Sequence, residues 1–319
     1  MFAQSEAFVQ TVTGATAPSS LGHTQCHEHI YLRKGPSFAS NAALCMEDYG
    51  RSLAELKEYA ACGGGTIVDA QPGGFGRDAD ILRRLSVESG VKIIAVTGFH
   101  KLLFLEENAL ISLDEDALAG RFFSEITEGM LSPGGERTEA KAGLVKAAFE
   151  PGGLEHPTYR RLFSAVAAAA GRSGAPVMIH TEKDTDMLAL IRWFSAHHLP
   201  AERLLICHLD RTHYDPQYHL QVLATGCSLC YDSVHRLKYV SDAQELSLIS
   251  QMCAAGYAGQ IVLSLDTTNQ RLRAYFATDM GLNYLLTDFR PMLEQAGIAP
   301  GHIHAMMQDN AERVLQIVR

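Results

Sequence analysis

Residues 175–210, APVMIHTEKDTDMLALIRWFSAHHLPAERLLICHLD, decide the fold. They open and close on the short apolar runs APVMIHT and LLICHLD, and between these lies an apolar pattern with helical spacing. Two strands joined by a crossover helix make a parallel βαβ unit. The same alternation continues in both directions. Strand-like runs lie at 21–29, 65–70, 91–98, 142–149, 175–181, 204–210, 227–232 and 261–267. Helical patterns fall between and after them, at 52–63, 77–90, 156–174, 184–200, 215–226, 242–256, 282–297 and 308–319, several closing on the glycine that caps a helix. Parallel strands need both faces covered, so eight of them with intervening helices predict a (β/α)8 TIM barrel. An open doubly wound sheet is the alternative with the same element order. The longest irregular stretch, 101–138, reads as one long helical excursion after the third strand, ending in the turn-rich SPGGERTEA. With no repeat beyond the βα alternation and no linker, one barrel domain over residues 1–319 is expected.

The composition suits a globular chain with a large core: 47% hydrophobic and 20% charged residues. A net charge of −9, without a long basic run, argues against binding to nucleic acid or to anionic membrane. The start, MFAQSEAFVQTVTG, has neither a basic nor an apolar leader region, and no run reaches the ~18 apolar residues of a membrane span. A cytoplasmic protein acting on a small molecule is the expectation. The apolar segment around Phe8 and Val9 allows a homodimer. Seven cysteines, an odd number spread along the chain, read as reduced and mostly buried. Cys227 and Cys230 are three apart in a strand and therefore face opposite ways, which argues against a zinc knuckle.

In a barrel of this kind the reacting groups stand where strands end. The first strand ends in His27-Glu28-His29, where a period of two sends both imidazoles inward and Glu28 the other way. The fifth ends in His180, the sixth in His208 and the eighth in Asp266, each a metal-ligand type in an otherwise apolar run. Neutral imidazole and carboxylate suit Zn²⁺, Mn²⁺, Co²⁺ or Fe²⁺, and the lack of a thiolate cluster points to an open, hydrolytic site. Lys146, in AGLVKAAFE, has apolar neighbours on both sides, so its amine must be paired, neutral or modified. A carbamate formed with carbon dioxide would be an anionic ligand able to bridge two cations.

The strings GHTQCHEHI, GLVKAAFE, VMIHT, CHLD, LSLDT and the terminal DNAERVL, in that order over nearly the whole chain, resemble the phosphotriesterase-like family of the amidohydrolase superfamily. That resemblance implies two divalent metal ions, zinc foremost. His27, His29 and Asp266 would hold the more buried ion, His180 and His208 the more exposed one, and carboxylated Lys146 would bridge both. It also implies a bridging hydroxide as nucleophile, with Asp266 taking its proton.

The family spans phosphotriesters, acyl-homoserine lactones, sugar lactones and phosphorylated sugar lactones, so the loops must choose among them. The loops after strands seven and eight, VHRLKYVSD and TTNQRLRAYF, offer Arg236, Lys238, Tyr239, Arg271, Arg273 and Tyr275 in the quadrant where barrels bind phosphate. On so acidic a chain this cluster favours an anionic substrate, with Arg236, Lys238 and Arg271 as its main contacts and Tyr275 beside them. Arg273 is alternatively placed on the first turn of a following helix. The third strand ends TGFHK, which resembles the family's sugar-lactone hydrolases and puts His100 or Lys101 at the substrate. Asp210 and Arg211 read as a local ion pair that shapes the pocket. The sole tryptophan, Trp193, sits in a helix away from the mouth. A sugar lactone, phosphorylated or not, is the leading substrate, ahead of an acyl-homoserine lactone and a phosphotriester; a sugar-phosphate-binding barrel without turnover is the non-enzymatic alternative.

Overall fold

A computed structural model of the chain describes residues 7–105 and 110–318. A hairpin of β1 (Val9–Thr11) and β2 (Gly14–Thr16) precedes β3 (His23–Glu28), β4 (Gly64–Asp69), β5 (Lys92–Gly98), β6 (Ala142–Phe149), β7 (Val177–Thr181), β8 (Leu204–Cys207), β9 (Ser228–Tyr231) and β10 (Ile261–Leu263). From β3 to β10 the strands pair in chain order, all parallel. At the seam, Asp266 N–H donates to the His27 carbonyl at 3.1 Å and His27 N–H to Ser264 Oγ at 2.8 Å, so the sheet curls into a nearly closed barrel. All eight expected strands are present. The last three stop short of their expected ends, β8 where the backbone turns left-handed at His208 and β10 ahead of the left-handed Asp266.

Alternation sorts the strand side chains. Val68, Ile94, Leu144, Met178, Leu205 and Val262 fill the barrel interior, which Val9, Val314 and Leu315 plug from below. The opposite faces pack against the helices. Cys230 lies in the inner core and Cys227 in the outer one, as alternation requires, and all seven cysteines are free. Val9 is fully buried, so it offers no surface to a second copy. The helices starting at Tyr49, Ala79, Glu115, Met187 and Pro216 each begin after an aspartate whose carboxylate accepts a backbone N–H of the first turn.

The expected excursion over 101–138 contains a single helix, Glu115–Thr127, started by Asp114, preceded by a short 3₁₀ turn at Leu102–Phe104; residues 106–109 of that expectation lie outside the described residues. Buried Glu125 on this helix receives both terminal nitrogens of Arg77, at 2.8 and 2.9 Å, and Thr97 Oγ1 at 2.6 Å, which fastens the excursion to β5. Near the C-terminus the expected α-helices are interrupted by two π-helical turns, Leu285–Phe289 and Ala305–Asp309. Arg273 is not helical; it pairs with Glu58 and donates to the Asp279 carbonyl at 2.6 Å. No helix among the described residues is long and apolar enough to cross a membrane.

Candidate metal centre and substrate cleft

The inward turn of the first two histidines depends on a slip in register. Gln25 pairs with Ile67 and Glu28 with Asp69, so Cys26 and His27 together oppose Val68. Cys26 already belongs to the inner core, and strict alternation would turn His27 outward. The bulge brings His27 and His29 to the same interior, their rings 5.7 Å apart. Glu28 faces the seam instead. Its carboxylate accepts Ser264 Oγ at 2.9 Å, Leu265 N–H at 2.7 Å, Thr267 N–H at 3.0 Å and Thr267 Oγ1 at 2.8 Å. These bonds fix the turn that presents Asp266, whose φ is +48°.

His208 is left-handed too, with φ +70°. Cys207 faces the inner core, so an extended His208 would point at the helices; the left-handed backbone swings it in. Non-glycine residues in this region cost about 1–3 kcal/mol each and persist where the surroundings impose them, often at functional sites. Gly98, with φ +99°, ends β5 against the Lys146 backbone, where any Cβ would collide with the Lys146 amide nitrogen at 2.8 Å.

The rings of His27 and His180 stand 4.5 and 4.4 Å from that of His208, and His100 lies 4.6 Å from His180. Ligand atoms of His27, His29 and Asp266 lie within 4.8 Å of one another, as do those of His27, His208 and Asp232. Asp232 escaped the sequence reading, although it ends the strand CSLCYD by the same rule that flagged Asp266. One of its oxygens is 2.7 Å from His208 Nδ1, the other 3.2 Å from His27 Nδ1. His180 Nε2 meets Glu182 at 2.9 Å, and the same carboxylate oxygen accepts from Lys101 at 2.6 Å. Lys146 is fully buried and its Nζ donates to the Ala70 carbonyl at 2.6 Å.

Burial holds the His27 and His180 pKa values down at about 3 and that of His29 at about 4, and pulls the Lys146 amine down to about 8. Neutral imidazole is the form that binds metal. His27 Nε2 and His29 Nδ1 are buried with no hydrogen-bond partner among the described residues. His29 Nε2 and His27 Nε2 lie 3.4 and 3.8 Å from the same oxygen, Asp266 Oδ1. Two buried imidazoles that each keep an orphaned nitrogen, with His27 Nε2 and His29 Nε2 turned to one carboxylate oxygen, fit a divalent cation better than a packed polar core, which would satisfy those nitrogens.

The other Asp266 oxygen meets two guanidinium groups, Arg211 at 2.7 Å and Arg236. Arg211 is therefore not the partner of Asp210, which accepts the Ser233 N–H at 2.7 Å instead; the short helix Leu209–Thr212 after His208 turns the two side chains apart. Beside these arginines a cleft of about 300 Å³ opens between the loops after β9 and β10, lined by Arg236, Lys238, Arg271 and Thr268. The Tyr239 ring gathers three cations, Lys238 Nζ at 4.5 Å, Arg211 at 5.1 Å and Arg236 at 5.7 Å. Arg271 donates to the Leu265 and Val234 carbonyls, both at 2.7 Å, so it fastens the two loops together. Tyr275 stands apart from the cleft, its hydroxyl held by Ser52 at 2.7 Å and the Asp48 carbonyl at 2.8 Å. His100 and Lys101 lie on the His180 side of the site.

The chain matches the phosphotriesterase family over residues 7–315. A phospho-furanose lactonase of Mycoplasmopsis synoviae is 30% identical, with 97% of this chain and 91% of that protein aligned. Among solved structures, an amidohydrolase from Mycoplasma synoviae superimposes with a TM-score of 0.92 at 28% identity, covering 98% of this chain and 93% of its own. A lactonase from Listeria monocytogenes gives 0.89 at 26% identity, covering 98% and 100%. Dependence on a binuclear metal centre is typical of the family, and this chain has residue groups able to hold such ions. Barrel, strand-end imidazoles and sequence match agree: the chain belongs to the phosphotriesterase family and is a hydrolase.

Proposed function

We propose that this chain, as one barrel domain, opens the ring of a small sugar lactone carrying a phosphate. Two divalent metal ions, zinc foremost, would be held by His27, His29, His180, His208, Asp266 and a carboxylated Lys146. The observation that carries the reading is the convergence of neutral, hydrogen-bond-starved imidazoles on Asp266, next to a cationic cleft on a chain of net charge −9. The similarity to phospho-furanose lactonases supports the substrate class.

A metal pair, when bound, supplies an acidified water and polarises the lactone carbonyl. The protein's own groups do the rest. Asp266 accepts the proton released as water adds to the carbonyl carbon, and then returns it to the ring oxygen as the C–O bond breaks. Asp232 directs the His208 ring from its Nδ1 edge, leaving Nε2 for a ligand. Arg236 and Lys238 grip the substrate phosphate, while Arg271 holds the two loops around it. His100 and Lys101 meet the sugar from the opposite side.

Proton release from metal-loaded enzyme tests this, with sugar lactones offered with and without a 5-phosphate beside a homoserine lactone and a triester. The expected result is a preference for the phosphorylated lactone that Lys238→Ala weakens about tenfold through KM, consistent with the loss of one charge-assisted contact. Equal turnover with and without the phosphate removes the phosphate grip. Failure to open any lactone removes the reading itself.

A further inference from the structure

A second cavity, of about 350 Å³, lies at the opposite, N-terminal end of the barrel. It is enclosed by the start of β3, the end of the helix Tyr49–Ala61 and the last helices of the chain. His23, on its wall, precedes His27 and His29 by four and six residues, which at ~3.3 Å per residue puts the cavity roughly 13–20 Å from the candidate metal centre. One side is apolar, formed by Leu286, Ile303 and Met307.

The polar side is under-satisfied. Tyr59 Oη lies 3.0 Å from the His23 carbonyl, 3.1 Å from that of Thr66 and 2.8 Å from His23 Nδ1. With the single Tyr59 proton on either carbonyl, Nδ1–H donates to Oη and Nε2 is the free acceptor of the ring. His23 is 9% exposed, and its Nε2 has no hydrogen-bond partner among the described residues. Burial, with the nearby Arg290 charge, keeps the ring neutral, its pKa down at about 3. Arg290, its side chain more than half exposed, is held at Nε by Glu294 at 3.1 Å, an ion pair that leaves its terminal nitrogens to solvent or to a ligand. Both π-helical turns border this cavity and contribute Leu286, Met307 and Gln308 to it. Such turns are rare and recur at functional sites.

We propose that this cavity is a second small-molecule site, for a hydroxylated anion: its carboxylate or phosphate lies on Arg290, a hydroxyl donates to His23 Nε2, and its carbon chain rests on Leu286, Ile303 and Met307. The site is independent of the lactone chemistry. Cys62, exposed on the cavity rim, is a built-in reporter.

The test uses the full chain with D-gluconate and 3-phosphoglycerate as probes and sorbitol and acetate as controls lacking one of the two features. Calorimetry is expected to show saturable binding of one or both hydroxylated anions, weakened about tenfold or more by Arg290→Met, abolished by Leu286→Trp and unchanged by Lys238→Ala. In the unaltered protein, the bound probe should slow alkylation of Cys62 by N-ethylmaleimide, read by mass spectrometry, without slowing that of Cys45. This second readout needs no variant to fold. Binding that survives Leu286→Trp, binding lost in Lys238→Ala, or full Cys62 reactivity at saturating probe each overturns the proposal, as does sorbitol or acetate binding equally well.

Discussion

Replacing Glu28 by glutamine tests whether the seam of the barrel is held by a carboxylate. One Glu28 oxygen accepts Ser264 Oγ and the Leu265 N–H; the other accepts the N–H and Oγ1 of Thr267. A glutamine has one carbonyl oxygen and an NH2 in place of the second. Either hydroxyl can rotate and accept from that NH2, but a backbone N–H cannot. Whichever way the amide lies, one buried N–H, of Leu265 or of Thr267, is left facing another donor. An unmade buried bond costs about 1–3 kcal/mol, and the remaining bonds lose their charge assistance, so Glu28→Gln should destabilise by roughly 2–4 kcal/mol. The turn it loosens is the one that holds Asp266 at φ +48°, so affinity for metal should fall as well. Urea unfolding with and without chelator measures the first effect, and zinc competition against a chromophoric chelator measures the second. A loss under 1 kcal/mol with unaltered zinc affinity would refute the reasoning, because it would mean that Glu28 is a protonated acid whose hydroxyl already donates into this network.

Asp232→Asn keeps the size of a side chain that contacts His208 at 2.7 Å and His27 at 3.2 Å but removes its charge, and metal affinity should drop about 10–100-fold in chelator competition. Unchanged affinity would show that Asp232 only fills space. His219 is bonded through Nδ1 to Tyr231 at 2.9 Å and through Nε2 to the His213 carbonyl at 2.8 Å, and burial lowers its pKa from 6.5 to about 4. The unfolded chain takes up a proton below pH 6.5 that the folded chain refuses until about 4, so this contribution is complete above 6.5 and lost as the pH falls toward 4. Between pH 7 and pH 5 the unfolding free energy of the native chain should fall by about 2 kcal/mol more than that of His219→Gln, and parallel pH profiles for the two would contradict it.

Much of this protein is legible in its sequence, because strand runs, helical spacing and capping residues are local signals. The order of eight strands and the strand-end residues His27, His29, His180, His208 and Asp266 come from neighbours along the chain. Arg236 and Lys238 line the cleft after β9 and β10, but the partners of the other loop residues were not legible. Arg211, expected on adjacent Asp210, reaches Asp266, 55 positions away; Arg271 takes the Val234 carbonyl of the neighbouring loop besides nearby Leu265, and Tyr275 is bound to Ser52, which only the closed barrel brings near. A long cationic side chain has many partners within its reach, and burial chooses among them. Asp232 was within reach of the strand-end rule, whereas the register slip at Cys26 and His27 was not: a bulge is set by pairing with β4, a property of two strands together. The left-handed backbones at His208 and Asp266 have the same origin. Sequence alone determined which residue types stand at the mouth of the barrel; the bulge against β4, the left-handed turn at His208 and the closure of β3 on β10, which puts Glu28 in the seam beside the Asp266 turn, decided which of them meet.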